Sequence, residues 1–288
     1  MTAWQAVLRR RFDRAAPSYE ALAQLQQQSA ERLASGALQY INAAFAGVQP
    51  LRILDLGCGT GWLLRHVQQQ WPQARQPSLF ALDLSEGMLQ APDWQSSAHS
   101  AAITRVCADA SSLPFADDSI DMMLSNFALH WCDDPAQLLA EMHRVSSAEG
   151  RAFCVIPVAG SLAARGEQAG QGASLRDLEA WQAAVAQSSW QLVSSDVEQW
   201  VEHHPSPAAW LQTVRALGVT ARRTIASGLS GRSAYADFGA QARLEILNKL
   251  GFDAKVLAEL KIGPILFREE LIYMREVSPG DTVSVTCE

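Results

Sequence analysis

LRILDLGCGTG, residues 51–61, decides the reading of this chain. Leu51, Ile53, Leu54 and Leu56 form a short apolar run bounded by glycines, the pattern of a buried strand. The run breaks into a loop with glycines at 57, 59 and 61, and Trp62, Leu63, Leu64, His66 and Val67 then follow at helical spacing. Strand, glycine loop and helix in that order let a backbone approach a ligand closely, because glycine has no Cβ to hold it off. The dinucleotide fingerprint G-x-G-x-x-G fails in both registers. Its last glycine falls on Trp62 when counted from Gly57, and on Leu64 when counted from Gly59.

The bulk composition narrows the function. A chain of 288 residues, 48% hydrophobic and 18% charged, can bury a substantial core and accommodates one α/β domain with an insertion or two small domains. No apolar run reaches the roughly 20 residues of a membrane span. The N-terminal MTAWQAVLRRRFDR has no apolar stretch leading to a cleavage site, so a cytoplasmic protein is expected. A net charge of −7 argues against a general nucleic-acid binder. Five scattered cysteines form no C-x-x-C pair, and the histidines form no H-E-x-x-H, so no metal site is expected. Nothing fixes the oligomeric state; a monomer is the default.

Along the chain, residues 2–11 read as a short helix ending in the basic run Arg9–Arg11, either a solvated face or a docking patch for an acidic partner. Pro17 near a helix start and Ser18 as N-cap predict a second helix, continuing through Leu33, Leu38 and Ile41 to about Gly47. Residues 78–84 (SLFALDL) predict a second strand closed by Asp83, 28 residues beyond Asp55. A carboxylate there can accept both ribose hydroxyls of an adenosine. Met88 lies on the helix that follows and can line the adenine side. Residues 103–110 predict a third strand ending at Asp109, an acceptor for an adenine amino group, and Ile120–Ser125 a fourth. Asn126 to Trp131 then fall at the carboxyl edge, where open α/β sheets bind ligands. A helix at Pro135–Val145 and a strand at Arg151–Ile156 complete a doubly wound parallel pattern.

The second half is less regular. Residues 159–174 read as a glycine-rich connection, 190–204 as a sixth strand and 264–277 as the last. Helical patterns near 207–217 and 234–249 form an insertion ahead of that last strand. The expected organisation is N-terminal lid helices over 1–47 and a cofactor-binding core over 48–158. The rest of the sheet with the acceptor-side insertion (about 205–250) spans 159–277, and a tail 278–288.

Residues 51–61 resemble motif I of the S-adenosylmethionine-dependent methyltransferases, which implies a Rossmann-like, mostly parallel seven-stranded sheet. FDRAAPSYEALAQLQQQSA (12–30), SNFALHWCDD (125–134) and EMHRV (141–145) extend the likeness. Together they resemble the malonyl-acyl-carrier-protein O-methyltransferases of biotin synthesis (BioC type), sharply over 12–30 and 51–158 and loosely in the insertion. The resemblance implies that Asp55, Gly57, Gly59 and Gly61 hold the methionine and ribose end of S-adenosylmethionine. Asp83 would take the ribose hydroxyls, Met88 the adenine face, and Asp109 with Ala110 the adenine edge, and Leu84 is counted among the cofactor-binding residues. It implies further that Tyr19 is the lid tyrosine, and that Asn126, Leu129 and Trp131 border the transferring methyl. Arg144 matches the arginine of the E-x-x-R-V pattern, and Arg215 stands where a basic residue is expected. The glycine-rich 159–174 and the tail after Val277 depart from the pattern.

The implied reaction moves a methyl group to the malonyl carboxylate of acyl carrier protein, leaving S-adenosylhomocysteine. An ionised carboxylate needs no general base, only desolvation and orientation by an arginine fork. Arg144 and Arg215 are the candidates, although Arg144 equally reads as a helix C-terminal cation complementing the dipole. Arg9–Arg11, Arg14, Arg222 and Arg223 form a contact set for the acidic carrier. His130 reads as a packed histidine or as a base for a carbon or hydroxyl acceptor. Another small-molecule methyltransferase on this fold, or a non-catalytic S-adenosylmethionine-binding assembly factor, would carry the same motif.

Overall fold

The computed structural model describes residues 2–44, 50–71, 76–95, 102–159, 161, 175–200, 212, 213 and 216–218. These belong to one compact unit, residues 1–161 with 173–221.

Two helices precede the sheet. Helix α1 (Ala3–Leu22) starts at a capping box in which Thr2 Oγ1 accepts from the Gln5 amide and the Gln5 side chain accepts from the Thr2 amide. It runs through Pro17, contrary to the helix start expected there. Ser18 caps nothing; its hydroxyl donates to the Ala15 carbonyl. The reason is tertiary. Leu8, Ala15 and Ala16 are buried, and that packing offsets the one helix hydrogen bond a proline cannot make. The break comes instead at Ala23, and α2 (Gln24–Ala44) follows, lining its buried face with Ala30, Leu33, Ala34, Ala37, Leu38 and Ile41.

The sheet has five parallel strands among the described residues, in the order β3-β2-β1-β4-β5. They are β1 (Arg52–Leu56), β2 (Ser78–Asp83), β3 (Ile103–Cys107), β4 (Ile120–Asn126) and β5 (Ser146–Val155). Helices α3 (Trp62–Gln70), α4 (Glu86–Leu89) and α5 (Pro135–Val145) connect them, and α6 (Leu178–Ala186) follows β5. Ile53, Leu54 and Leu56 of β1 have no exposed surface, as expected of a central parallel strand covered on both faces. The strand order reverses between β1 and β4, so their carboxyl ends splay apart at the switch point where open α/β sheets form a ligand crevice.

Two strand expectations are corrected. The third strand stops at Cys107, short of the expected end at Asp109, because β2 ends at Asp83 and the Ala108 amide makes the last bond, to the Asp83 carbonyl. Residues 190–200 form no strand. Trp190 is held by α5, its indole donating to the Leu139 carbonyl at 3.0 Å, while Val193 and Val197 are exposed. Residues 201–204, the last strand expected at 264–277 and most of the insertion lie outside the described residues, so five of the seven expected strands are present. Gln212, Thr213 and Ala216 are helical, as the pattern near 207–217 predicts.

Candidate active site

Asp55, next to last in β1, has 1% of its surface exposed, and neither carboxylate oxygen has a hydrogen-bond partner among the described residues. Burial, with the nearby Asp83 charge second, pushes its pKa up to about 8. A buried carboxylate without a donor is costly, and it suits a site whose cation arrives with the ligand.

The loop after it is built for close approach. Gly57, Gly59 and Gly61 have φ of +71°, +54° and +83°. The amides of Gly57 and Cys58 donate to the Leu82 carbonyl at 2.8 and 3.0 Å, tying the loop to β2. A Cβ on Gly57 would lie 2.2 Å from the Ala128 Cβ, and one on Gly61 would lie 2.3 Å from the Trp94 ring. A Cβ on Gly59 would meet nothing within 4 Å. Two of the glycines are therefore required by protein packing, and the third keeps open the cleft that it lines.

The cleft lies at the switch point and gathers Tyr19, Asp55, Gly57, Gly59 and Asn126. Trp62, on the first turn of α3, joins them, and its indole N–H is buried without an acceptor among the described residues. Burial, with the charge of Asp83 second, raises the Tyr19 hydroxyl pKa well above its usual value. Asn126 is fixed by α2: its Oδ1 accepts from the Ser29 hydroxyl at 2.7 Å and its amide donates to the Gln26 carbonyl at 2.9 Å.

Asp83 stands behind the loop, accepting from the Gly59 amide at 2.9 Å and the Ser85 amide at 2.7 Å. Burial outweighs these bonds and lifts its pKa to about 6. Met88 is buried below, its carbonyl accepting from the Trp94 indole at 2.9 Å, and the Leu84 carbonyl accepts from Cys107 Sγ. Asp109, followed by Ala110 in the turn after β3, accepts from the Ser111 amide and from the Gln5 side chain of α1. Leu129 is 3% exposed and belongs to the core beneath the site. Trp131 packs between α1 residues, with ring centroids 5.8 Å from Phe12 and 6.4 Å from Trp4. The His130 ring lies 4.6 Å from that of Trp131.

The substrate role expected of Arg144 is corrected. Its five N–H groups are all used, on both Glu141 oxygens, Asp117 Oδ1 and the carbonyls of Leu113 and Phe115. None is left for a carboxylate ligand, and the residue instead fastens the 113–117 turn to α5. Arg215 lies outside the described residues. Gln5, Asp13, Glu20 and Arg65 also reach the walls of the site and carry no motif in the sequence. Arg65 carried the available signal, being a cation inside the run Trp62–Val67 that otherwise reads as buried and therefore in need of a buried partner.

The fold and this cleft define a methyltransferase domain, and residues 54–154 match the family model of that description. A malonyl-[acyl-carrier protein] O-methyltransferase of Alcanivorax borkumensis is 32% identical over 237 residues, 80% of this chain and 77% of that protein. The chain belongs to the malonyl-[acyl-carrier protein] O-methyltransferase family. A relative of the same name from Gallionella capsiferriformans is 38% identical over 148 residues, 50% of this chain and 48% of that protein. Like it, several of the curated relatives are spanned over only about half their length. Among solved structures, geranyl diphosphate C-methyltransferase of Streptomyces coelicolor is 13% identical, with a TM-score of 0.45, 64% of this chain and 78% of that one being covered.

Proposed function

We propose that this chain binds S-adenosylmethionine and transfers its methyl group to the free carboxylate of malonyl-acyl carrier protein, a step of biotin synthesis. The observation that carries the cofactor reading is Asp55, a buried carboxylate without a donor beside the open face of Gly59. Those residues fit the group. Asp55 meets a cationic amino end, Gly59 lets backbone approach, Asp83 keeps lone pairs for hydroxyl donors, and Asp109 presents an acceptor for an amino group at the oxygen that Gln5 holds. The acceptor reading is supported by the names of the relatives, which include a biotin biosynthesis bifunctional protein of Teredinibacter turnerae at 36% identity over 46% of this chain and 23% of that protein.

When bound, S-adenosylmethionine supplies an electrophilic methyl for in-line displacement and leaves as S-adenosylhomocysteine. The chain supplies position and dryness. Helix α1 lies over the adenosine side through Gln5 and Asp13, and Trp131 walls the acceptor side against Phe12 and Trp4. An acceptor carboxylate of pKa about 4 is already ionised, so excluding its water does more than any base. Arg215 remains the arginine proposed for the malonyl carboxylate. Arg10 and Arg14, exposed one turn apart on α1, with the half-buried Arg11, belong to the described part of the surface proposed for the acidic carrier; Arg9 is engaged by Asp13 and Glu86. No helix among the described residues is long and apolar enough to cross a membrane, and we place the reaction in the cytoplasm.

Mass spectrometry of malonyl-acyl carrier protein incubated with the enzyme and S-adenosylmethionine tests the reading. The expected result is one methyl added to the malonyl carrier and none to an acetyl carrier. No added methyl, with cofactor binding measured separately, discards the acceptor and keeps the cofactor.

A further inference from the structure

Glu20 sits in the last turn of α1 and reaches across to the glycine loop. Both of its oxygens accept from Arg65 Nη2 at 2.7 Å, and Oε2 also accepts from the Thr60 hydroxyl at 2.8 Å. Arg65 is 5% exposed and donates in addition to the Thr60 carbonyl, so the hydroxyl and the carbonyl of Thr60 are both bound to this ion pair. Thr60 lies between Gly59, which keeps the cleft open, and Gly61, which starts α3. Glu20 itself lines the cleft next to Tyr19.

The contacts continue around the site and return to α1. The Arg65 guanidinium lies 5.9 Å from the centre of the Trp94 ring, the ring that fills the space beside Gly61. The Trp94 indole donates to the Met88 carbonyl, the Met88 amide donates to Ser85 Oγ, and the Ser85 hydroxyl donates to Asp13 Oδ1 at 2.6 Å. Helix α1 is thus joined at both Glu20 and Asp13 to one loop of contacts that passes under the glycine turn and the adenine-side helix.

We propose that Glu20 is a positioning residue: through Arg65 and Thr60 it sets the glycine loop in its ligand-receiving shape when α1 is packed down. The inference rests on the S-adenosylmethionine reading above. A loop of three left-handed glycines has little conformational preference of its own, so its shape comes from what holds the residues between them. Thr60 is such a residue, and α1 reaches it through Glu20.

The test measures S-adenosylhomocysteine binding by calorimetry and thermal melting on the full chain, for the parent, Glu20→Gln and the pair Glu20→Met with Arg65→Met. A buried ion pair replaced by apolar side chains of similar volume usually keeps the fold, whereas removing one partner strands a charge. The pair variant is expected to melt close to the parent and yet bind about tenfold more weakly, since Thr60 loses its acceptor. Glu20→Gln is expected to bind more weakly by a similar factor. Parent-like binding in the pair variant, or unchanged binding in Glu20→Gln, makes the pair purely structural and overturns the proposal. A parent that binds no S-adenosylhomocysteine overturns the cofactor reading and this proposal with it.

Discussion

The side-chain amide of Gln5 donates to the carboxylate of Asp109, joining the first turn of the N-terminal helix to the turn after β3 across 104 residues of sequence. The donor is an N–H of an amide, and the reading above gives the same carboxylate to the amino group of adenine. Protein and ligand therefore compete for one acceptor. Gln5→Glu keeps the capping box, because a glutamate at that position also accepts from the Thr2 amide, but it removes the donor and sets a like charge against Asp109. The expected outcome is tighter S-adenosylhomocysteine binding, by about fivefold for a contact of about 1 kcal/mol. Calorimetry checks it, and Gln5→Ala should move in the same direction.

Two glycines of the loop should respond differently to the same change. Gly57→Ala meets Ala128 at 2.2 Å with φ at +71°, and should lose about 2–4 kcal/mol of stability in urea unfolding. Gly59→Ala meets nothing within 4 Å among the described residues, so it should lose only about 1 kcal/mol. Its methyl group stands in the cleft, and ligand affinity should fall by more than about tenfold.

Asp55 makes stability and binding depend on pH in opposite senses. Its carboxyl is held at about 8 in the folded chain, against about 4 when unfolded. The folded state then carries an extra proton between about pH 4 and pH 8. This contribution to stability is complete below about pH 4 and is lost as pH rises through about 8. Asp55→Asn should flatten the fall in melting temperature over that range. Binding of a cationic amino group favours the ionised form, so affinity should rise with pH toward about 8. Calorimetry in buffers of different ionisation enthalpy would show protons released.

Arg144→Met tests the corrected role. Five hydrogen bonds to the 113–117 turn, Asp117 and Glu141 are lost, and stability should drop by about 2 kcal/mol. KM for the malonyl carrier should stay near that of the parent. A large rise in KM with an unchanged melting temperature would return the residue to the acceptor site.

The parts of the site that read well from sequence are those held by backbone. LRILDLGCGTG announces strand, loop and helix because glycines and apolar runs act locally, and Asp55 and Asp83 fall at or next to the ends of strands that periodicity locates, whereas Asp109 lies in the turn past β3. The parts that read poorly depend on partners far along the chain. Pro17 and Ser18 look like a helix start, yet the burial of Ala15 and Ala16 carries α1 past them, and the break at Ala23 has no residue signature. Arg144 looks available until Asp117 and Glu141 are brought to it. Gln5 and Glu20 look like ordinary surface residues of a helix, and only the folded chain sets them against Asp109 and Arg65.

Helix α1 is twenty residues long, about 30 Å, and runs unbroken to Ala23. A rod of that length, turned about Ala23, would move as one body. Gln5 at its far end travels furthest about Ala23, while Glu20 beside the pivot barely moves. A small rotation that frees Asp109 can therefore leave the Thr60 tie in place, and ligand exchange would begin at the adenine end of the cleft, with the methionine end the last to open.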